Sequence, residues 1–154
     1  MSDFSDLLRP DAVHTDVAVA NKKTLFAQLA SAAGALGLDA RLVAERLAAR
    51  EKLGSTGFGG GVAIPHARLP DLDAVTGVFL RLPQPIEFDA VDDLPVDLVF
   101  LLLSPEDAGA DHLKALARVS RRLRDRAFLA KLRGAGSPDA LYALFTAELA
   151  HGAA

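Results

Sequence analysis

Hydrophobic residues recur at helical spacing in two successive segments of the first third of the chain. In residues 22–37 they are separated by one, three and four positions: Leu25, Phe26, Leu29, Ala33 and Leu36. This spacing predicts an amphipathic helix that ends at Gly37. A second helix is predicted from Asp39 to Leu53, because Asp39 can cap its first turn and Gly54 can terminate it.

Apolar runs predict strands elsewhere in the chain. Residues 12–20 contain Val13, Val17 and Val19, and residues 75–82 form a second apolar segment. Residues 95–103 include the run VDLVFLLL, which is typical of a strand covered on both faces. Residues 62–65 are expected to form a short extended piece.

Helical spacing returns in the last third. A helix is predicted from Asp111 through Arg124, with one face formed by Leu113, Leu116, Ala117, Ser120 and Leu123. Ser137 can cap a last helix whose first residue is Pro138, and its expected buried side is Leu141, Leu144 and Phe145. The order of elements predicts an α/β fold: a mixed β-sheet of about four to five strands flanked by helices on both faces, a three-layer α/β/α arrangement.

Composition narrows the class of protein. A chain of 154 residues with 51% apolar content suits a single domain, and we expect one over residues 1–154 with its core in residues 10–150. The sequence contains neither an apolar run of about 18 residues nor a signal peptide, which predicts a cytoplasmic protein without membrane insertion. The absence of cysteine excludes disulfides, thiolate zinc sites and cysteine nucleophiles. A net charge of −3 argues against general nucleic-acid binding.

A glycine-rich segment stands out at residues 50–68, REKLGSTGFGGGVAIPHAR. Glycine-rich turns can expose successive backbone N–H groups to an anion. The segment lacks the lysine of a P-loop, and it leads from a helix into an extended piece, whereas a dinucleotide fingerprint leads from a strand into a helix. The sequence therefore leaves two readings open, an ordinary flexible connection and an anion-binding loop.

Arg50 and His66 flank this segment. Arg50 falls on the helical stripe of Val43 and Leu47, so its guanidinium needs an anionic partner, either a structural carboxylate or a phosphoryl group. Pro65 restricts the backbone before His66, and a neutral imidazole is a competent nucleophile toward phosphorus.

The other three histidines show no metal-binding spacing, and we expect neither a metal site nor a cofactor. His14 and His151 are expected at the surface. His112 lies in the first turn of a predicted helix, where the helix dipole is expected to lower its pKa and favour a neutral, hydrogen-bonding role.

The sequence of residues 50–68, above all REKLGSTG and VAIPHAR, resembles the signature of the IIA proteins of the bacterial phosphotransferase system, mannitol/fructose type. Within that family it most resembles the nitrogen-regulatory branch. The resemblance implies that His66 accepts a phosphoryl group on Nε2 from an HPr-like phosphocarrier protein, NPr, which enzyme I charges from phosphoenolpyruvate. It also implies regulatory targets such as potassium-transport or sensor-kinase components.

The resemblance further implies a role for each residue of the site. Arg50 is expected to neutralise phosphate charge, and His112 to pack beside His66 and help to hold it. Residues expected near the phosphate are Ser55, Thr56, Gly57, Gly59 and Gly61. The pair Ser104-Pro105 departs from the Val-Pro of the resembled pattern.

The sequence thus predicts a phosphoryl-transfer component that acts mainly as a regulatory phosphocarrier. The alternatives are the IIA component of a fructose- or mannitol-type transporter and a non-catalytic binding module of the same fold. Residues 118–126 contain five arginines that could suggest a nucleic-acid patch, but no aromatic residues interleave with them. We interpret this segment as a solvated helix face that can meet an acidic partner.

Overall fold

Residues 4–147, which this computed structural model describes, form six strands and five helices. The strands are β1 (Leu8–His14), β2 (Gly57–Gly59), β3 (Val62–Ala63), β4 (His66–Leu69), β5 (Thr76–Ile86) and β6 (Val96–Pro105). The helices are α1 (Lys22–Ala35), α2 (Ala40–Lys52), α3 (Ala110–Arg122), α4 (Arg126–Gly134) and α5 (Pro138–Thr146).

All six strands belong to one mixed sheet. Its order is β1-β5-β6-β3-β2, and β4 also pairs with β6, further along that strand. The pairs β1/β5, β3/β6 and β4/β6 are parallel, while β5/β6 and β2/β3 are antiparallel. The predicted α/β fold with a mixed sheet between helices is confirmed. The strand count is higher than predicted because β2 and β4, of three and four residues, are too short to show a pattern.

The central strand β6 is buried on both faces, as its apolar run predicts. Residues 98–103 are all 0% exposed. Phe79 of β5 and Phe100 of β6 are cross-strand partners, and both rings contact Phe145 of α5, with centroid distances of 4.9 and 5.6 Å. Through these ring contacts the last helix packs against the middle of the sheet.

The predicted capping residues act as expected. Asp39 accepts a hydrogen bond from the Leu42 N–H at 3.2 Å, and Ser137 accepts one from the Ala140 N–H at 3.1 Å. Both satisfy N–H groups that have no partner within their helix.

The extent of the first strand differs from the prediction. Residues 12–20 were expected to be extended, but β1 runs from Leu8 to His14. Asp16 has a φ of +58°, a left-handed conformation that a strand cannot continue through. His14 is partly exposed, whereas His151 lies outside the described residues.

The buried face of α3 also differs from the prediction. Leu113 is 63% exposed, and the buried residues of α3 are His112, Ala115 and Val119. The helix is rotated so that the imidazole of His112 faces inward, where it finds a polar partner.

Helix α4 was not predicted. Its N-cap, Asp125, accepts from the N–H groups of Ala127 and Phe128, and its buried side is Phe128, Leu129 and Leu132. The arginines around this short helix obscure its apolar pattern. In α5, Leu141 and Phe145 are buried as predicted, while Leu144 is only half-buried.

Candidate functional site

His66 opens β4 directly beside the central strand. The segment from β3 through β4 follows β6 in parallel, with Val62 opposite Leu98 and His66 opposite Leu102. Between β3 and β4, the carbonyl of Pro65 accepts a hydrogen bond from the Leu102 N–H at 2.9 Å. The backbone on both sides of His66 is therefore held by the sheet, which orients the imidazole.

A backbone contact determines which ring nitrogen of His66 carries the proton. Its Nδ1 lies 2.8 Å from the carbonyl oxygen of Ile64. A carbonyl oxygen only accepts hydrogen bonds, so Nδ1 must be the donor. In the neutral imidazole, Nε2 then holds the free lone pair and is the nucleophilic atom.

Arg50 reaches this lone pair from α2. Its Nε–H donates to His66 Nε2 at 3.2 Å, and its Nη1 donates to the Gly54 carbonyl at 2.8 Å. Val43 and Leu47 are buried and Arg50 is half-buried, as the helical stripe predicts. Within residues 4–147 no carboxylate forms a salt bridge with Arg50. The guanidinium therefore keeps its charge available next to the imidazole.

Burial keeps His66 neutral. The pKa of His66 is lowered from its ordinary value of 6.5, first because the ring is desolvated; its hydrogen bond to Ile64 acts in the opposite direction. The charge of Arg50 lowers this pKa further, while Glu51 raises it. Nε2 is consequently unprotonated at neutral pH, where its lone pair accepts the hydrogen bond from Arg50.

His112 packs next to His66, as expected. The two ring centroids are 5.7 Å apart. The pKa of His112 is lowered, as predicted, first because the ring is desolvated and then through electrostatic interactions with Arg68 and His66. Its Nδ1 lies 2.7 Å from the hydroxyl of Ser104, a partner that the sequence did not reveal.

The hydroxyls of Ser55 and Thr56 are bound to the protein itself. Ser55 donates to the Phe88 carbonyl at 3.0 Å and accepts from the Gly57 N–H at 3.1 Å. Thr56 donates to Glu51 at 2.8 Å, and Glu51 in turn pairs with Lys22 at 2.8 Å. Both side chains brace the loop beneath His66, and Glu51 is a structural member of the site that sequence reasoning missed.

A cleft of about 360 Å³ opens beside the imidazole. The described residues that line it are Arg50, Ser55, Thr56, Phe58, Ile64, His66, Leu116, Ser120 and Arg124. Gly57, Gly59 and Gly61 are not among them. These glycines shape the β2–β3 hairpin instead, and the Gly60 N–H of that hairpin donates to Asp92 at 3.0 Å.

Arg124 was not predicted as a site residue. Residues 118–126 were interpreted as a solvated face, and Arg124 is indeed exposed; it lies just beyond α3 and also lines the cleft. The one hydrogen bond that its guanidinium makes within residues 4–147 is a long one, 3.4 Å from Nε to the Ser120 carbonyl. No local signal could identify it, because its position depends on how α3 packs against the sheet at β6.

The arrangement suits the acceptance of an anionic group. A nucleophilic nitrogen lies at the cleft with one arginine hydrogen-bonded to it, and a second arginine also lines the cleft. Positive charge that is already in place stabilises the oxygens of a phosphoryl group during transfer. A larger cleft of about 790 Å³, beside Asp6 and Asp111, contains neither His66 nor Arg50.

Two negative observations concern residues 4–147 alone. No group of three histidine, cysteine or carboxylate side chains there could hold a metal ion. No helix there is long and apolar enough to cross a membrane.

Comparison with known proteins gives a consistent result. Residues 6–148 match the family described as "Phosphoenolpyruvate-dependent sugar phosphotransferase system, EIIA 2". The chain is 50% identical over 142 residues to a nitrogen regulatory protein of Bradyrhizobium diazoefficiens, covering 92% of this chain and 93% of that protein.

Solved structures agree. The nitrogen regulatory protein IIA-Ntr of Neisseria meningitidis superimposes with a TM-score of 0.85 at 38% identity, over 91% of this chain and 97% of that one. The mannitol IIA of Escherichia coli shares the fold, with a TM-score of 0.70 at 20% identity, over 85% of this chain and 94% of that one. The family resemblance of residues 50–68 is thus confirmed, and the chain belongs to the EIIA type 2 family of the phosphoenolpyruvate-dependent phosphotransferase system.

Proposed function

We propose that this protein is a phosphohistidine carrier of the nitrogen-regulatory phosphotransferase branch, with His66 as the phosphoryl acceptor. The observation that carries the proposal is the pair of contacts that leaves Nε2 of His66 as a lone pair beside Arg50. The phosphoryl donor is an HPr-like phosphocarrier, NPr, charged through enzyme I from phosphoenolpyruvate. Because phosphoenolpyruvate is a cytoplasmic metabolite, we place the protein in the cytoplasm.

The transfer step balances without a further proton donor. The lone pair on His66 Nε2 attacks the phosphorus of the donor's phosphoimidazolium. The P–N bond of the donor breaks, and its electron pair returns to the donor ring, which becomes a neutral imidazole. His66 becomes a phosphoimidazolium, since Nδ1 keeps the proton that it donates to Ile64.

The two arginines have complementary roles in this step. Arg50 must leave the lone pair as phosphorus approaches, and its guanidinium then faces the phosphoryl oxygens. Arg124, which also lines the cleft, supplies further positive charge. Ser55 and Thr56 hold the loop that forms the floor of the site, and His112 supports the imidazole.

The phosphorylation state of His66 is the regulatory signal. A phosphoryl group adds negative charge to a cleft with two arginines, so the positive charge offered to a target protein is reduced locally. The proposed targets are components of potassium transport or sensor kinases.

Labelling with phosphoenolpyruvate, enzyme I and NPr tests the proposal. Wild-type protein should take up an acid-labile, alkali-stable label, and His66→Ala should take up none. His14→Ala is the matched control, because His14 lies on the edge strand β1 and should not affect labelling. An unlabelled wild type, or a labelled His66→Ala, would contradict the proposal.

A further inference from the structure

A buried hydroxyl and a buried imidazole form a pair next to His66, and the transfer step described above gives the hydroxyl no role. Ser104 of β6 is 0% exposed and His112 of α3 is 6% exposed. The Ser104 Oγ and the His112 Nδ1 are 2.7 Å apart. In a buried environment each hydrogen of such a pair needs an acceptor.

Strand pairing places this hydroxyl on the same side of the sheet as His66. His66 is the register partner of Leu102, and Arg68 is the register partner of Ser104. Because side chains two apart on a strand share a face, Ser104 follows Leu102 on the face to which His66 belongs. His112 of α3 packs beside His66 and is hydrogen-bonded to Ser104.

The direction of the hydrogen bond follows from counting acceptors. If Nδ1 of His112 donated, the hydroxyl hydrogen of Ser104 would need another acceptor. Among residues 4–147, His112 Nδ1 is the one hydrogen-bond partner of the Ser104 hydroxyl. The hydroxyl therefore donates to Nδ1, and in a neutral imidazole the proton must then be on Nε2.

The groups around His112 keep it neutral. Burial lowers its pKa, and the nearby positive charge of Arg68 lowers it further; both Arg68 and His66 face it from β4. The imidazole thus carries one N–H, whose position is decided by Ser104.

We propose that Ser104 is a positioning residue, which holds His112 in the Nε2–H form so that His112 donates a hydrogen bond to the phosphoryl group on His66. The hydrogen bond from His112 to the phosphoryl group rests on the function proposed above, whereas the assignment of the His112 tautomer does not. A centroid distance of 5.7 Å between the two rings brings a phosphoryl oxygen on His66 within reach of the neighbouring ring. The opposite tautomer would present a lone pair to that oxygen, which is repulsive.

The matched variants are Ser104→Thr and Ser104→Val. Their side chains have nearly the same volume, so any packing cost is shared, and they differ in the hydroxyl alone. Long-range ¹H–¹⁵N spectra of the unphosphorylated protein should show His112 as the Nε2–H form in wild type and Ser104→Thr. In Ser104→Val the spectra should show both neutral tautomers of His112.

A second measurement tests the donated hydrogen bond. The rate of phosphoryl transfer to His66 should be about 2- to 10-fold lower in Ser104→Val than in Ser104→Thr, as expected for one lost hydrogen bond. Phosphorus spectra of the phosphorylated protein should also differ between the two variants.

The outcomes separate this proposal from the one on which it rests. An Nδ1–H form of His112 in wild type would overturn the proposal, even if neither variant folded. A changed tautomer with equal transfer rates in both variants would overturn the donation to the phosphoryl group. If wild type took up no phosphoryl group, the proposed function and that donation would fail, while the spectra would still decide whether Ser104 sets the tautomer.

Discussion

At the scale of single residues, the hydrogen bond between Arg50 and His66 has two opposed effects. It places positive charge next to the imidazole, which lowers the pKa of His66 and keeps the ring neutral. It also occupies the lone pair on Nε2, which attacks phosphorus in the proposed transfer. In that proposal the bond breaks during transfer, and the guanidinium regains a partner when the phosphoryl oxygens arrive.

Replacing Arg50 by alanine should slow transfer far more than it weakens docking of the phosphocarrier. Loss of a charge that stabilises the transition state should lower the transfer rate by roughly 100-fold. Rapid-quench kinetics and titration calorimetry measure the two quantities separately. Lys52→Ala is the control, since Lys52 is an exposed cation at the end of the same helix. Equal losses of rate and affinity in Arg50→Ala would argue against this role.

At the scale of elements, the β2–β3 hairpin serves the site through packing. Gly57 lies so close to the loop after β5 that an added Cβ would meet Ala90 and Phe88 at 2.9 Å. Gly61 has a φ of +82°, which a side chain would strain, and its neighbours are Asp97 and Arg133. The glycines thus allow the hairpin to fit against its surroundings, while their expected place near a phosphate stays a prediction.

Gly57→Ala should therefore destabilise the protein through overpacking. We expect a loss of about 1–3 kcal/mol in the free energy of unfolding. Gly136→Ala is the matched control, because its added Cβ would meet nothing within 4 Å. Urea denaturation of both variants measures the difference. Equal stabilities would show that the close contact at Gly57 relaxes without cost.

At the scale of the whole molecule, the sheet brings the site together from three separate parts of the chain. His66 comes from β4, Arg50 from α2 and Arg124 from the segment just after α3. The buried strand β6 pairs with β4 and also carries Ser104, so one strand positions both histidines. Bringing two histidines into a partly desolvated site makes the stability of the whole fold depend on pH.

Stability should fall as the pH drops below 6.5. The pKa values of His66 and His112 are both lowered from 6.5 in the folded protein. Below that pH the unfolded chain binds protons that the folded chain does not, so the free energy of unfolding decreases until the folded-state pKa values are reached. Each histidine contributes a slope of at most about 1.4 kcal/mol per pH unit.

Urea denaturation between pH 7.5 and pH 5.5, a range of about two units chosen to stay above most carboxylate titration, measures this slope. His66→Gln should make it shallower, because one of the two titrating groups is removed. A wild-type free energy of unfolding that stays constant over this range would refute the expectation.

The sequence by itself determined the helices and strands that are marked by residues close together in the chain. The helices α1, α2 and α5 follow from apolar spacing and from caps a few residues away, and β6 follows from an unbroken apolar run. Residues 50–68 likewise identify the family and nominate His66 and Arg50, because one continuous segment contains both. Short strands and the arginine-flanked helix α4 carry too few apolar positions to be recognised in the same way.

Only the tertiary structure decided which polar atoms meet. Ser104 is hydrogen-bonded to His112, and Arg124 lines the cleft beside His66. Gly57 packs against Phe88 and Ala90. Leu113, which a local pattern places in the core, turns outward so that His112 can face Ser104. The physical reason is that hydrogen bonds and close contacts depend on positions within a few tenths of an ångström. For residues far apart in the chain, the packing of helices onto the sheet sets those positions.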